Sequence, residues 1–184
     1  KGSVTLPGAS KRKKNVKHET WVVRVKIQDA TQLRTAVSKD TYKGGGQANA
    51  EDIAKSKNAV AAMNGDFFKY EKDVGYVVRQ GELVRDASDN KRVVFDMLLV
   101  DSEGDFHVIP GADTAKVEAF TAETLAPQGR TILDTFNLGP ALIVDGKVQD
   151  IAASEAAQQG RYQWKYPQQR IALAQTGPLE YAIS

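Results

Sequence analysis

The sequence predicts an α+β fold, mainly antiparallel or mixed sheet built from hairpins with a few helices packed on it, and three observations carry that expectation. Turn signals separate short apolar runs at Gln80-Gly81, at Ser102-Glu103-Gly104 and at Asp145-Gly146. Two segments, one opening at Asn49 and one running from Thr114 to Thr124, carry helical signals. The composition, 41% hydrophobic and 26% charged over 184 residues, suits a chain that buries one core. Repeated hairpins with two helices interspersed are the pattern of an antiparallel-dominated α+β domain.

Taken in order, Glu19 to Ile27 alternates over its second half. Val23, Val25 and Ile27 face one way and Arg24 and Lys26 the other, as in a strand with one wet face. Asp29 to Val37 continues as a polar connection or a second short strand. Gly44-Gly45-Gly46 reads as a loop rather than a phosphate cradle, because no Gly-Lys-Ser/Thr ending follows. Asn49 is a helix N-cap, with Glu51 and Asp52 in the first turn, Ile53 and Ala54 on the apolar face, and Lys55 and Lys57 near the end. This helix, 49–57, is expected to feed a buried strand over 58–64 that stops on Asn64-Gly65-Asp66.

Downstream, residues 75–84 read as a hairpin turning at Gln80-Gly81. Val93 to Val100 and Phe106 to Ile109 form a second one. Thr114 to Thr124 places Val117, Phe120 and Leu125 at helical spacing, with Pro127 and Gly129 ending the element. Ile132 to Asn137 and Ala141 to Val144 read as strands, the latter turning at Asp145-Gly146 into Lys147-Val148. A polar segment, Ala153 to Gln168, precedes a strand at Arg170 to Gln175. The chain ends inside a strand-like run, Leu179 to Ser184, as a fragment or one half of a cleaved domain would.

Charge is unevenly placed. Residues 1–26 hold eight Lys or Arg against Glu19 alone, a surplus of seven, which leaves the remainder with a deficit of five. Residues 1–18 are therefore expected to form a basic, flexible arm, with Lys11 to Lys14 solvated or drawn to a phosphate-bearing wall glycan. No aromatic residue interleaves with that cluster, so no nucleic-acid partner is expected. No apolar run reaches the roughly 18–20 residues that span a bilayer. The chain contains no cysteine, which excludes disulfide and thiolate chemistry. His18 and His107 stand singly without metal-ligand spacing to acids, so no metal or cofactor is expected and an ion requirement stays open.

The stretch that invites chemistry is Lys57 to Phe68. Its small apolar residues stop on Asn64-Gly65-Asp66, and Phe67 and Phe68 follow. Gly65 would let the turn take a conformation closed to other residues, so that Asn64 and Asp66 both point into a cleft while the two rings anchor it. An ordinary strand ending in an Asn-Gly turn, with Asp66 capping it, is the plainer reading. Tyr162, Trp164 and Tyr166 are spaced by two among polar residues, an arrangement that stacks on sugar faces or packs as a lid on the core.

Four blocks then line up in order: Asn64-Gly65-Asp66-Phe67-Phe68; Gly75-Tyr76-Val77-Val78-Arg79; Phe136-Asn137-Leu138-Gly139-Pro140-Ala141-Leu142; and Gln169-Arg170-Ile171-Ala172 with Gln175-Thr176-Gly177. Together they resemble the phosphodiester glycosidase family, over roughly residues 19–184. Its best-known member, an N-acetylglucosamine-1-phosphodiester α-N-acetylglucosaminidase, uncovers mannose 6-phosphate by removing N-acetylglucosamine. The family's Asn-Gly-x-Phe-Phe pattern is met with Asp66 at the variable place, its Phe-Gly-Pro-x-Leu pattern with Leu138 in place of Phe, and its Arg-Thr-Ala strand at Arg170 and Ala172 with Ile171 in place of Thr. Such proteins continue into an Asn-Leu-Asp-Gly-Gly-Gly-Ser segment, so the resemblance implies that 19–184 is the N-terminal part of the domain, truncated at its C-terminal end.

The activity the resemblance implies is hydrolysis of a sugar-1-phosphate diester in a secreted or cell-surface glycan. Phosphate is already a good leaving group, so the demand falls on holding its charge and stabilising positive character at the anomeric carbon. Arg170 is the expected phosphate ligand and Asp66 the catalytic carboxylate, with Asn64, Gly65, Arg79, Asn137, Gly139 and Gln175 as substrate contacts. For Arg79 a surface strand arginine is the plainer reading. The implied partner is a phosphorylated or phosphodiester-linked glycan. Two rivals stand beside this: a non-catalytic carbohydrate-binding module using Tyr162, Trp164 and Tyr166, or half of a two-chain or domain-swapped assembly in which a second chain completes the domain.

Overall fold

The computed structural model of the chain describes residues 2–6, 16–42, 46–65, 75–87, 95–137, 139–153 and 170–184. The described strands are β1 (Gly2–Leu6), β2 (Val16–Thr20), β3 (Val23–Lys26), β4 (Gly75–Arg79), β5 (Glu82–Ala87) and β6 (Phe95–Asp101). They continue with β7 (Phe106–Ala112), β8 (Ile132–Phe136), β9 (Ile143–Val144), β10 (Lys147–Val148), β11 (Leu173–Gly177) and β12 (Glu180–Ile183). Two α-helices, α1 (Ala50–Ser56) and α2 (Thr114–Phe120), interrupt them. All described ladders are antiparallel. The fold is α+β, sheet-dominated with few helices.

The core lies on a three-stranded sheet in the order β7-β6-β8. Met97 and Leu99 on β6 pack with Ile109 on β7 and with Val117 and Leu125 from α2 and the turn that follows it; Tyr76, Phe120 and Ile132 close the sides. The helix forms where the spacing predicts it. Asp113 caps it, its Oδ1 accepting from the Lys116 N–H at 2.8 Å, and Val117 sits on the buried face. The helix widens through a π-type turn at Thr121–Leu125 and then tightens through a 3-10 turn at Ala126–Gln128. Gly129, at φ 69°, then releases the chain toward β8.

A second sheet, β11-β12-β3, is fastened to the turn end of the β6–β7 hairpin. The hydroxyl of Tyr181, 3% exposed, donates to the Gly104 carbonyl at 2.8 Å, and its ring lies 4.9 Å from that of Phe106. Gly104 carries φ 82°, and a Cβ there would stand 2.7 Å from the Tyr181 oxygen, so this turn needs glycine on both counts. Beneath it Asp101, fully buried, accepts from the N–H groups of Glu103 (2.9 Å) and Asp105 (3.0 Å) through Oδ1. Its Oδ2 meets Arg130 Nη1 at 2.8 Å and His107 Nε2 at 2.9 Å. Burial by itself would raise this carboxyl, but the His107, Arg130 and main-chain hydrogen bonds together hold it below the ordinary aspartate value.

One expected element is absent. Residues 58–64 form no strand: Asn58 turns at φ 52°, the Ala59 N–H returns to the Ala54 carbonyl at 3.0 Å, and Val60 is fully exposed. Three of its seven residues are alanine, which give little side-chain surface for a pleated sheet to bury, and no described strand lies beside it to complete a ladder. The helix before it stands as expected, with Asn49 at its N-terminus, though the Asn49 side chain makes no capping bond. The three hairpins turn where predicted. Asp29–Val37 is a polar connection whose 3-10 turn, Ala30–Gln32, is closed by a reciprocal capping box between Asp29 and Gln32. The cluster Lys11–Lys14, Gly44 and Gly45 lie outside the described residues.

Two stability predictions follow from the fastening of the sheets. Tyr181→Phe keeps the ring and leaves the Gly104 carbonyl without its donor, so urea denaturation is expected to show a loss of about 1 kcal/mol with an unchanged slope. Asp101 has a folded pKa below its unfolded one, so its contribution is present above the ordinary aspartate pKa and is lost as pH falls through the lower folded value. Acid titration of Asp101→Asn should accordingly show a weaker pH dependence of stability over that window than the unchanged chain.

Candidate active site

One gathering of buried polar groups runs along β8. Thr135, fully buried, accepts the Val78 N–H at 2.9 Å through its hydroxyl oxygen and donates to the Tyr76 carbonyl at 2.8 Å. Asn137, 7% exposed, donates to the same carbonyl at 3.0 Å. Asp134 Oδ1 accepts the Gln80 N–H at 3.1 Å and the Thr35 hydroxyl at 2.6 Å. Gln80 in turn accepts from Arg34 and donates to the Thr35 carbonyl. β4 is thus held beside β8 largely by side chains that take the place of a main-chain ladder.

This arrangement sets the position of Arg79 at the end of β4. Its Nη1 donates to the carbonyls of Val78 and Thr135, and its guanidinium lies over the Phe136 ring, 5.0 Å from the centroid. The same ring receives Gly65: a Cβ there would stand 3.3 Å from Phe136 Cε1. Gly65 is not in the left-handed region, so the requirement for glycine is close approach to the ring rather than an unusual φ. Gly75 meets Asn137 in the same way and more tightly. At φ 85°, its missing Cβ would fall 2.9 Å from Asn137 Cγ.

Gly65 and Arg79 therefore meet at the Phe136 ring, with Asn64 exposed beside Gly65, while Asn137, the next residue after Phe136, turns to the Tyr76 carbonyl and Gly75. Gly139, exposed, follows two residues after Asn137. Its loop is tied back by Asp96, 4% exposed, which accepts the Ala141 N–H through Oδ2 and the Gly111 N–H through Oδ1, at 2.8 and 2.9 Å. Two other sequence-derived candidates lie elsewhere, Gln175 on β11 of the second sheet and Arg170 three residues before that strand. Gln175 accepts the Phe106 N–H and donates to Asp105 Oδ1, both at 2.8 Å, at the turn end of the β6–β7 hairpin, away from the end where Asp96 holds the Gly139 loop. Arg170 is exposed and precedes Ala172, whose N–H and carbonyl both pair with Ser184. Asp66, Phe67, Phe68, Leu138, Tyr162, Trp164 and Tyr166 lie outside the described residues. Among the described residues no group of three or more His, Asp or Glu side chains is arranged to hold a metal ion, and no helix is long and apolar enough to cross a membrane.

Sequence reasoning passed over Asp134, Thr135 and Asp96, and it quoted Gly75 and Phe136 in the family blocks without giving them a role. A signal existed in Asp134-Thr135-Phe136-Asn137, which puts three polar side chains into a segment otherwise fit for a buried strand.

The chain belongs to the phosphodiester glycosidase family, whose model matches residues 57–178. Every site residue proposed from the sequence falls within that span. Membership supports a hydrolase of glycosidase type acting on a glycan. No curated protein and no solved structure matches the chain.

The buried Asp134 carries the titration signature of the corner. Its carboxyl is raised above the ordinary aspartate value because burial outweighs the hydrogen bonds from Thr35 and Gln80 and the attraction of Arg79. A raised folded pKa means that the folded state holds the proton more tightly. The favourable contribution is then present below the unfolded pKa and is lost as pH rises through the folded one. Asp134→Asn keeps an acceptor for Thr35 and Gln80 without the buried charge. Thermal unfolding should show it more stable than the unchanged chain at neutral pH, with the difference closing as pH falls toward the ordinary aspartate value.

Proposed function

We propose that the chain hydrolyses the glycosyl-phosphate bond of a sugar-1-phosphate diester in a secreted or cell-surface glycan, releasing the sugar. The observation that carries this reading is the meeting of Gly65 and Arg79 at the Phe136 ring, in a chain of the phosphodiester glycosidase family. The phosphate leaves readily, so the site has little need of strong acid assistance. It needs a cation of fixed orientation and dipoles around the anomeric carbon.

Arg79 suits the first requirement. Two carbonyls and an aromatic face fix the plane of its guanidinium, and a fixed plane favours bidentate contact with phosphate oxygens over the looser hold of an ammonium. The exposed Asn64 amide supplies hydrogen bonds for sugar hydroxyls or the phosphate. Asp66, next along the chain from Gly65, is the carboxylate we assign to the oxocarbenium-like state or to the attacking water. We assign Arg170, exposed ahead of β11, as a second cation for the phosphate.

The test compares two variants on an N-acetylglucosamine 1-phosphodiester with release of free sugar as the readout. Arg79→Ala is expected to lower kcat/KM about 100-fold or more, the scale of losing one preorganised charge-stabilising donor. Arg170→Ala should lower it less, and Arg79→Lys should recover only part because the planar fork is gone. The reverse order would transfer the phosphate to Arg170. Absence of sugar release from any sugar-1-phosphodiester by the unchanged chain would overturn the proposal.

A further inference from the structure

We infer that Asn64 is a site of spontaneous deamidation, in which the main-chain nitrogen of Gly65 displaces the side-chain amide. Both residues are exposed and lie at the end of the described stretch 57–65, which follows α1 and forms no strand. Among the described residues nothing hydrogen-bonds the Asn64 carboxamide or the Gly65 N–H, so neither the electrophilic carbon nor the nucleophilic nitrogen is engaged. Gly65 has no side chain to shield its nitrogen, and the absence of a ladder leaves the backbone the freedom that ring closure requires.

The chemistry needs only water and a trace of base. Loss of the Gly65 amide proton lets that nitrogen attack Asn64 Cγ. Collapse of the tetrahedral adduct expels ammonia and leaves a five-membered succinimide. Water then opens the ring at either carbonyl, giving aspartate at one and isoaspartate at the other. The balance is one water consumed and one ammonia released, without oxidation or reduction.

The same chain carries its own controls. In Asn58-Ala59 the corresponding nitrogen donates to the Ala54 carbonyl at 3.0 Å and bears a methyl-substituted carbon. Asn49 opens α1, with its carbonyl accepting the Asp52 and Ile53 N–H groups at 3.1 Å. Asn137 is buried and its amide is bonded to Tyr76. Only Asn64 combines a glycine neighbour, exposure and free partners among these four.

Conversion places a carboxylate where a neutral amide stands, and the isoaspartate product also lengthens the main chain beside the Phe136 ring. On the proposed function, and resting on it, the new negative charge opposes an anionic phosphodiester and lowers turnover.

The full chain is to be held at physiological temperature at neutral and at mildly alkaline pH. Peptide mapping by mass spectrometry then follows the mass gain of amide-to-carboxyl exchange, and isoaspartyl methyltransferase labelling marks the rearranged product. The Asn64 peptide is expected to convert first and faster at the higher pH, with those of Asn49 and Asn58 unchanged, and Asn64→Gln should abolish both signals there. Conversion of Asn64 no faster than of Asn58 would overturn the inference. Sugar release is followed on the same samples. A chain that converts without losing turnover upholds the modification and removes Asn64 from the catalytic corner, so the two ideas fail separately.

Discussion

The structure depends on the way β8 serves two neighbours by different means. Toward β6 it uses its main chain in an antiparallel ladder whose register shifts once, between Val100 and Asp101. Toward β4 it uses side chains, with Asp134, Thr135 and Asn137 standing in for the donors and acceptors that a second ladder would supply. Buried main-chain polar groups must be satisfied, and these three residues satisfy the N–H groups of Val78 and Gln80 and the carbonyl of Tyr76. The solution costs a carboxyl buried beside β4, made tolerable by Thr35 and the Gln80 N–H. The arrangement also leaves the Arg79 guanidinium at the strand end, where carbonyls and the Phe136 ring fix it.

A second polar device sets the relation between the sheets. Asp101 collects a histidine, an arginine and two main-chain donors at the β6–β7 turn, and Gln175 and Tyr181 reach that turn from β11 and β12. Removing one partner from a buried carboxylate of this kind leaves an unpaired charge, so the cluster is valuable as a whole and costly in part. The apolar core, Met97 and Leu99 against Val117 and Leu125, then supplies bulk stabilisation on the helix side of the same sheet.

The hairpins were legible because their turns carry a local signal: Gln80-Gly81 and Asp145-Gly146 take positive φ at both residues, which few other pairs tolerate. The helix at Thr114 was legible from Val117, Phe120 and Leu125, whose spacing needs no knowledge of the partner sheet. The strand expected over 58–64 failed because a short run of small and apolar residues has no periodicity of its own, and its state is decided by what lies beside it. Of the candidate site, Gly65, Arg79 and Asn137 were recognisable as residue types, whereas Phe136 as the surface that joins two of them was not. A phenylalanine in a strand gives no indication of what approaches its face.

The sequence by itself determined the fold class, the hairpin turns, the second helix and the resemblance to a family, since each rests on local conformational preference or on residue identity. Only the tertiary structure decided that Gly65 is required by contact with Phe136 rather than by its φ, that Gln175 braces the second sheet at Asp105 and Phe106, and that Arg79 is held over an aromatic ring. Those outcomes depend on distances between residues far apart in the chain, which packing and buried hydrogen bonding set, and no local pattern encodes them.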